Sequence, residues 1–189
     1  NAFELLHFAE ARQEAQPSCV SVGMYATYFV KQGAIYVCGS TEEDGDGWGS
    51  SPFFGTGALT NAPLLTPTPM VGLASVQIVE VAAAREHVLL REVGGRVYSC
   101  GQGENGALGH GDLISHASPR QIESLEGAVQ ISAGRFLSLV LTDEGRLLSC
   151  GKDHLNWFVS AAQAQLQPDR GLLGREIQST PSVRMPDSP

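Results

Sequence analysis

The chain has 189 residues, 42% of them hydrophobic, with 12 Lys and Arg against 20 Asp and Glu. A net charge of -8 without a Lys/Arg cluster offers no basic groove for nucleic-acid phosphates. No apolar run approaches the roughly 18 residues of a spanning helix. The 22 Gly and 10 Pro point to many tight turns, as in an all-β protein.

In chain order, residues 3–14 read as a helix. Phe3, Leu5, Leu6, Phe8 and Ala9 make a broad apolar stripe among good helix formers, and Pro17 stops it. The expected organisation is an N-terminal helix over 1–17 and a repeat region over 18–189, interrupted by inserts at 40–56 and 152–170. The chain starts at Asn1 rather than Met and reads as a processed chain or a fragment.

Three segments of the repeat region align: 20–39, 81–101 and 131–151. Each has an apolar start, a small residue three positions on (Gly23, Ala84, Gly134), an apolar run, a Gly turn (Gly33, Gly95, Gly145) and a second run ending in Cys-Gly. The Cys-Gly pairs fall at 38–39, 100–101 and 150–151. Alternating apolar and β-branched residues flanking a Gly turn predict a β-hairpin in each copy. Val81, Val88, Leu90, Val97, Ile131, Leu139, Leu141 and Leu147 are the expected core. Between hairpins the chain runs through Gly-x-Leu turns and Pro-led strands, as in Gly106-Ala-Leu108 and Pro119-Arg-Gln-Ile122. The unit is then about four short strands per ~50 residues, the size of a propeller blade.

GQGENGALGHGD, a Pro-led strand, and then DEGRLLSCG resemble the regulator of chromosome condensation repeat family. The resemblance covers roughly 19–183 and is strongest in the middle copy. It implies part of a seven-bladed β-propeller, about three blades, with the remaining blades elsewhere. The family often carries a His in the first hairpin arm. His87 keeps it, whereas Ala26 and Leu137 replace it.

Several spacings imitate chemical sites. Glu42, Asp44, Asp46 and Gly47 open like a calcium loop, but the position needing a bidentate Glu falls on Phe53. Gly101-x-Gly103-x-x-Gly106 fits a dinucleotide fingerprint, yet Leu-Gly-His-Gly-Asp precludes the helix that would hold a pyrophosphate. His110-x-Asp112-x3-His116 offers too few ligands for a closed zinc site. Cys38, Cys100 and Cys150 recur in every copy, which marks them as reduced packing residues. No catalytic residue, metal or cofactor is expected, and unpaired thiols point to an intracellular compartment, cytoplasm or nucleus.

The two inserts interrupt the same point of the repeat, so they are expected on one face. Eighteen residues separate Gly39 from Gly57 and 20 separate Gly151 from Gly171, against five from Gly101 to Gly106. Trp48, Phe53, Phe54, Trp157 and Phe158, beside Asp44 and Asp46, are the candidate partner-binding residues. The expected function is a non-catalytic protein–protein interaction scaffold whose partners are other chains or the missing blades. The resemblance also implies two alternatives: guanine-nucleotide exchange on a small GTPase, or a substrate adaptor of a ubiquitin ligase. The family's ultraviolet-sensing branch uses many Trp residues, whereas only Trp48 and Trp157 occur here.

Overall fold

A computed structural model describes residues 18–40, 54–57, 62–152 and 175–176. They form three four-stranded antiparallel sheets, each a meander in chain order. The first holds β1 (Cys19–Val22), β2 (Ala26–Lys31), β3 (Ala34–Gly39) and β4 (Leu64–Pro69). The second holds β5 (Ile78–Ala83), β6 (His87–Glu92), β7 (Val97–Gly101) and β8 (His116–Gln121). The third holds β9 (Ala128–Ala133), β10 (Leu137–Thr142), β11 (Leu147–Gly151) and β12 (Arg175–Glu176). The leading strands β1, β5 and β9 pack side by side, so the sheets stack face to face as three blades of a β-propeller.

Each predicted hairpin is a three-stranded unit. The apolar start is a strand of its own, turned sharply at the small residue. The turn closes with an equivalent hydrogen bond each time: Gly23 N–H to Ala26 O at 2.8 Å, Ala84 to His87 at 2.9 Å, and Gly134 to Leu137 at 2.8 Å. The second turns explain why the first copy is one residue shorter. Gln32 and Gly33, with φ of 53° and 78°, make a two-residue turn between Lys31 and Ala34. The other two copies insert a residue, and the Gly95 and Gly145 N–H groups return to Glu92 O and Thr142 O, each at 2.9 Å.

The Cys-Gly repeat has a steric origin. A Cβ on Gly39, Gly101 or Gly151 would stand 2.2, 2.3 or 2.1 Å from the carbonyl oxygen of Tyr25, Glu86 or Phe136. That closeness lets the next residue's N–H bond the same carbonyl. Ser40 reaches Tyr25 O at 3.1 Å, while Gln102 and Lys152 reach Glu86 O and Phe136 O at 2.8 Å.

Period-two alternation gives each sheet two apolar faces. On β6, Val88 and Leu90 pack toward the first blade, in a cluster with Tyr28, Val30, Val37, Phe54 and Met70. Leu89 and Val97 pack the other way, with Ile122, Leu125, Ile131 and Val140 of the second interface. Polar links cross both interfaces. The Ala83 N–H donates to Ser21 Oγ at 2.9 Å, and the Ile131 N–H donates to Glu80 Oε1 at 3.2 Å. Glu80 is itself paired with Arg91 at 2.6 Å.

Of the expected core, Val81, Val88, Leu90, Val97 and Ile131 are buried. Leu139, Leu141 and Leu147 are only half-buried, because among the described residues no sheet follows the third blade. The first blade shows the same effect on its other side. Val20 is 64% exposed, while its equivalents Val81 and Ile131 are each 5% exposed beneath a preceding blade. Cys100 and Cys150 are buried free thiols, but Cys38 is half-exposed on the first blade. The predicted helix at 3–14 lies outside the described residues.

Among the described residues, the last strands of the first two blades pair with no further strand. Met70 and Ile122 donate their N–H groups inward, to Ile35 O and Val97 O. By alternation Pro67, Pro69 and Pro119 stand where an N–H would point outward, and proline has none.

Replacing Gly101 by Ala combines a φ of 121° with a backbone clash and is expected to cost about 3–4 kcal/mol. Gly145→Ala, at a φ of 76° with open space around the new methyl, is expected to cost about 1–2 kcal/mol. Urea unfolding of the two variants measures the difference. Thiol labelling of the native protein should modify Cys38 before Cys100 and Cys150. Burial raises all three thiols, Cys100 to about 12 and Cys150 to about 11.

Candidate interaction face

The strand register decides which loops meet. Ala26 pairs with Gly39, His87 with Gly101, and Leu137 with Gly151. The first turns (23–25, 84–86, 134–136) therefore share one end of the blades with the connections leaving β3, β7 and β11. The connections that carry the segments 40–56 and 152–170 leave the sheets at this end. The second turns (32–33, 93–95, 143–145) occupy the opposite end.

The middle connection shows how the rim is built. Gly103 N–H donates to Ser115 Oγ at 3.0 Å, Gly106 N–H returns to Gly103 O at 2.8 Å, and Ile114 N–H donates to Asp112 Oδ1 at 3.0 Å. Ala107 and Leu108 are buried, and the Ser99 hydroxyl donates to Leu108 O at 2.7 Å. Gly101, Gly103 and Gly106 serve this tight connection: a Cβ on Gly103 would lie 2.1 Å from Ile114 O. His110 and His116 meet edge to face at 5.0 Å. His110 Nε2 lies 3.0 Å from Ser99 Oγ, and Arg120 reaches both His116, at 3.4 Å, and Asp112, at 3.6 Å. No group of three or more metal-ligating side chains occurs among the described residues.

Three exposed apolar side chains lie on this rim. Met24 stands 62% exposed in the first turn, with Leu113 and Ile114 at 57% and 60% in the middle connection. Charge collects beside them. Glu86 is paired with Arg85 at 3.4 Å. Its carboxyl is raised chiefly by burial, an effect that Arg85 and Arg135 oppose and Glu104 reinforces. The Arg135 guanidinium lies 4.8 Å from the Phe136 ring centroid. Beneath the rim a cleft between the first two blades is lined by Tyr25, Tyr28, Phe54, Ala84, Glu86 and His87.

Of the predicted partner-binding residues, Phe54 is 2% exposed and packs in the cluster between the first two blades. Its ring fixes the end of the first insert to the fold and is not a surface anchor in this structure. Trp48, Phe53, Trp157, Phe158, Asp44 and Asp46 lie outside the described residues. The sequence reading missed Met24, Leu113 and Ile114. The available signal was apolar residues set among glycines and polar groups in a connection, where nothing local can cover them.

His87 sits under this rim and links two blades. Ser138 Oγ donates its single proton to Ala107 O at 2.7 Å, which leaves it to accept from His87 Nε2–H at 2.9 Å. Burial lowers the His87 pKa to about 4. His110 is also lowered to about 4, first by burial and then by Arg120 and His116, but it is half-open to water.

A propeller arc with loops of unequal length on one rim is the class that this geometry defines. Regulator of chromosome condensation (RCC1) repeat models match residues 94–141 and 128–155. Mouse E3 ubiquitin-protein ligase HERC2 is 37% identical over 100 residues, spanning 49% of this chain and 2% of the ligase. Ultraviolet-B receptor UVR8 of Arabidopsis thaliana is 32% identical over 126 residues, 65% of this chain and 28% of the receptor. The Xenopus laevis RCC2 homolog is 38% identical over 87 residues, 44% of this chain and 17% of that protein. Among solved structures, Prp20p of Saccharomyces cerevisiae superposes with a TM-score of 0.58 at 20% identity, over 70% of this chain and 30% of its own. Human WBSCR16 gives 0.57, also at 20% identity, over 72% and 35%. Residues 94–155 carry repeats of the regulator of chromosome condensation family, and the chain spans less than a third of each of these sequence relatives. Among the described residues no helix is long and apolar enough to cross a membrane.

Folding holds His87 neutral, so its folded pKa lies below the ordinary 6.5. Its contribution is therefore complete above pH 6.5 and is lost as pH falls from there toward 4, by about 3 kcal/mol in all. His110 adds less because solvent screens it. Thermal unfolding across pH 7 to 4 should show a steeper acid loss for the parent than for His87→Gln, which removes this titration.

Proposed function

We propose that the chain is a non-catalytic protein-interaction scaffold, a section of a larger propeller in which the insert rim is the binding surface. The observation that carries this reading is the shared exit of both inserts, beside the exposed Met24, Leu113 and Ile114. Residues 18–189 make the propeller section, and 1–17 supply a helix that packs before the first blade. Trp48, Phe53, Trp157 and Phe158 are the anchors, with Asp44 and Asp46 as the acidic flank. Side chains of this kind supply contact area at low entropic cost, and functional loops grafted on a rigid fold are the common pattern. The compartment in this reading is intracellular, which suits four unpaired thiols.

Guanine-nucleotide exchange on a small GTPase is the second reading. Prp20p, which shares the fold, was studied for its binding to Gsp1p and histones. The relation to HERC2 keeps the ligase-adaptor reading in view.

Shortening each insert to the five-residue spacing of the middle copy tests the proposal. Retained folding by circular dichroism with loss of captured partner proteins is the expected outcome. Unchanged capture by a folded variant overturns it. A nucleotide-release assay on a purified GTPase separates the exchange reading.

A further inference from the structure

Three hydroxyl–proline pairs stand in the outer strands: Thr66-Pro67 and Thr68-Pro69 in β4, and Ser118-Pro119 in β8. Two of them occupy the same place in the same irregularity. Val37 and Gly39 are two residues apart on β3, while their partners on β4, Thr68 and Leu64, are four apart. On the second blade Ser99 and Gly101 are matched by Arg120 and His116 in the same way. Each outer strand therefore bulges by two residues, and Leu65, Thr66 and Pro67 have no partner on β3. Thr66 and Ser118 are equivalent, and each precedes a proline, which favours extended backbone before it.

Their surroundings separate the three hydroxyls. Ser118 is half-buried in a clamped bulge. The preceding Ala117 O accepts from Gly57 N–H at 2.9 Å, and Arg120 reaches back to His116 at 3.4 Å. Thr68 is half-buried and donates its hydroxyl proton to Thr66 O at 3.0 Å. Thr66 is exposed, no described residue hydrogen-bonds its hydroxyl, and Leu65 beside it is 83% exposed. No charged residue occurs from Ala62 to Gly72, so an enzyme that needs a basic or acidic neighbour has nothing to read there. Pro67, directly after the hydroxyl, is the determinant on offer.

We propose that Thr66 is a phosphorylation site for a proline-directed protein kinase. The bulged segment is already extended and free of β3, so it enters a kinase cleft without unfolding the blade and at little ordering cost. In the transfer, Thr66 Oγ1 bonds the γ-phosphorus of ATP as the bond from that phosphorus to the bridging oxygen breaks. The hydroxyl proton passes to the kinase's catalytic carboxylate, and ADP leaves. The product carries close to two negative charges in a stretch that has none. Leu64 pairs with Gly39 at the insert end of the first blade, so the phosphate stands two residues from that rim. The assignment does not depend on what the rim binds.

The test incubates the folded protein, expressed from its complete coding sequence, with a purified proline-directed kinase, Mg2+ and ATP. Peptide mass spectrometry reads the phosphate occupancy at Thr66, Thr68 and Ser118 over time. A synthetic peptide of residues 62–72 gives the rate for an unconstrained segment. Thr66 in the native protein should fill at no less than about a tenth of the peptide's rate, and at least tenfold faster than Thr68 or Ser118. Filling of Thr66 only after unfolding in urea means that the bulge does not present it, and overturns the proposal. Faster filling of Thr68 or Ser118 in the native protein overturns the selection by exposure and bonding. A peptide that takes up no phosphate shows that Pro67 alone is not recognised, and the proposal fails at the sequence.

Discussion

A four-stranded sheet with apolar side chains on both faces cannot cover itself, and every feature of this molecule answers that constraint. The second blade satisfies it fully: Leu90 faces one neighbour, Leu89 the other, and both are completely buried. Full burial of a Val or Leu side chain is worth roughly 1.5–3 kcal/mol, so each shared face supplies much of a blade's stability. Position within the stack, more than composition, sets burial here. The equivalent residues Val20 and Val81 are the same amino acid in the same strand, yet one is exposed and the other covered.

The constraint also explains what could be read in the sequence. Cys-Gly was legible because its cause is local and steric: the glycine backbone meets a carbonyl in its own blade. The Gly turns were legible for the same reason. The separate first strand was not, because it is four residues long in β1 and its turn lacks the usual hairpin dipeptides. The burial of Leu139 and Leu147 was misjudged because it depends on a neighbouring blade. The bond between His87 and Ser138 joins residues 51 apart, and no pattern within one repeat announces it. Phe54 read as an exposed insert residue because nothing local shows that the chain folds back there to fill the interblade cluster.

The rim has a division of labour. Its base is fixed by hydrogen bonds that repeat from blade to blade, from Ser40, Gln102 and Lys152 to the turn carbonyls. What rises from that base differs in length and composition at each blade. A uniform platform with unequal loops lets binding chemistry change without disturbing the interfaces below, since the loops contribute little to the stacked core. Phe54 and Leu108 are the points where connections on this rim do enter the core, and they tie the variable surface to the constant one.

The prolines on the outer strands have a consequence for how such a molecule grows. Pro67, Pro69 and Pro119 remove backbone donors from the open sides of β4 and β8. A passing strand finds few donors to pair with there, so the outer edges of the first two blades resist cross-β recruitment. Among the described residues, the uncovered apolar faces at the two ends of the stack remain for blade-on-blade contact. Extension is thereby confined to a single axis. Duplicating or deleting a ~50-residue unit changes how far around the ring the chain reaches while leaving the flanks of the existing sheets as inert as before.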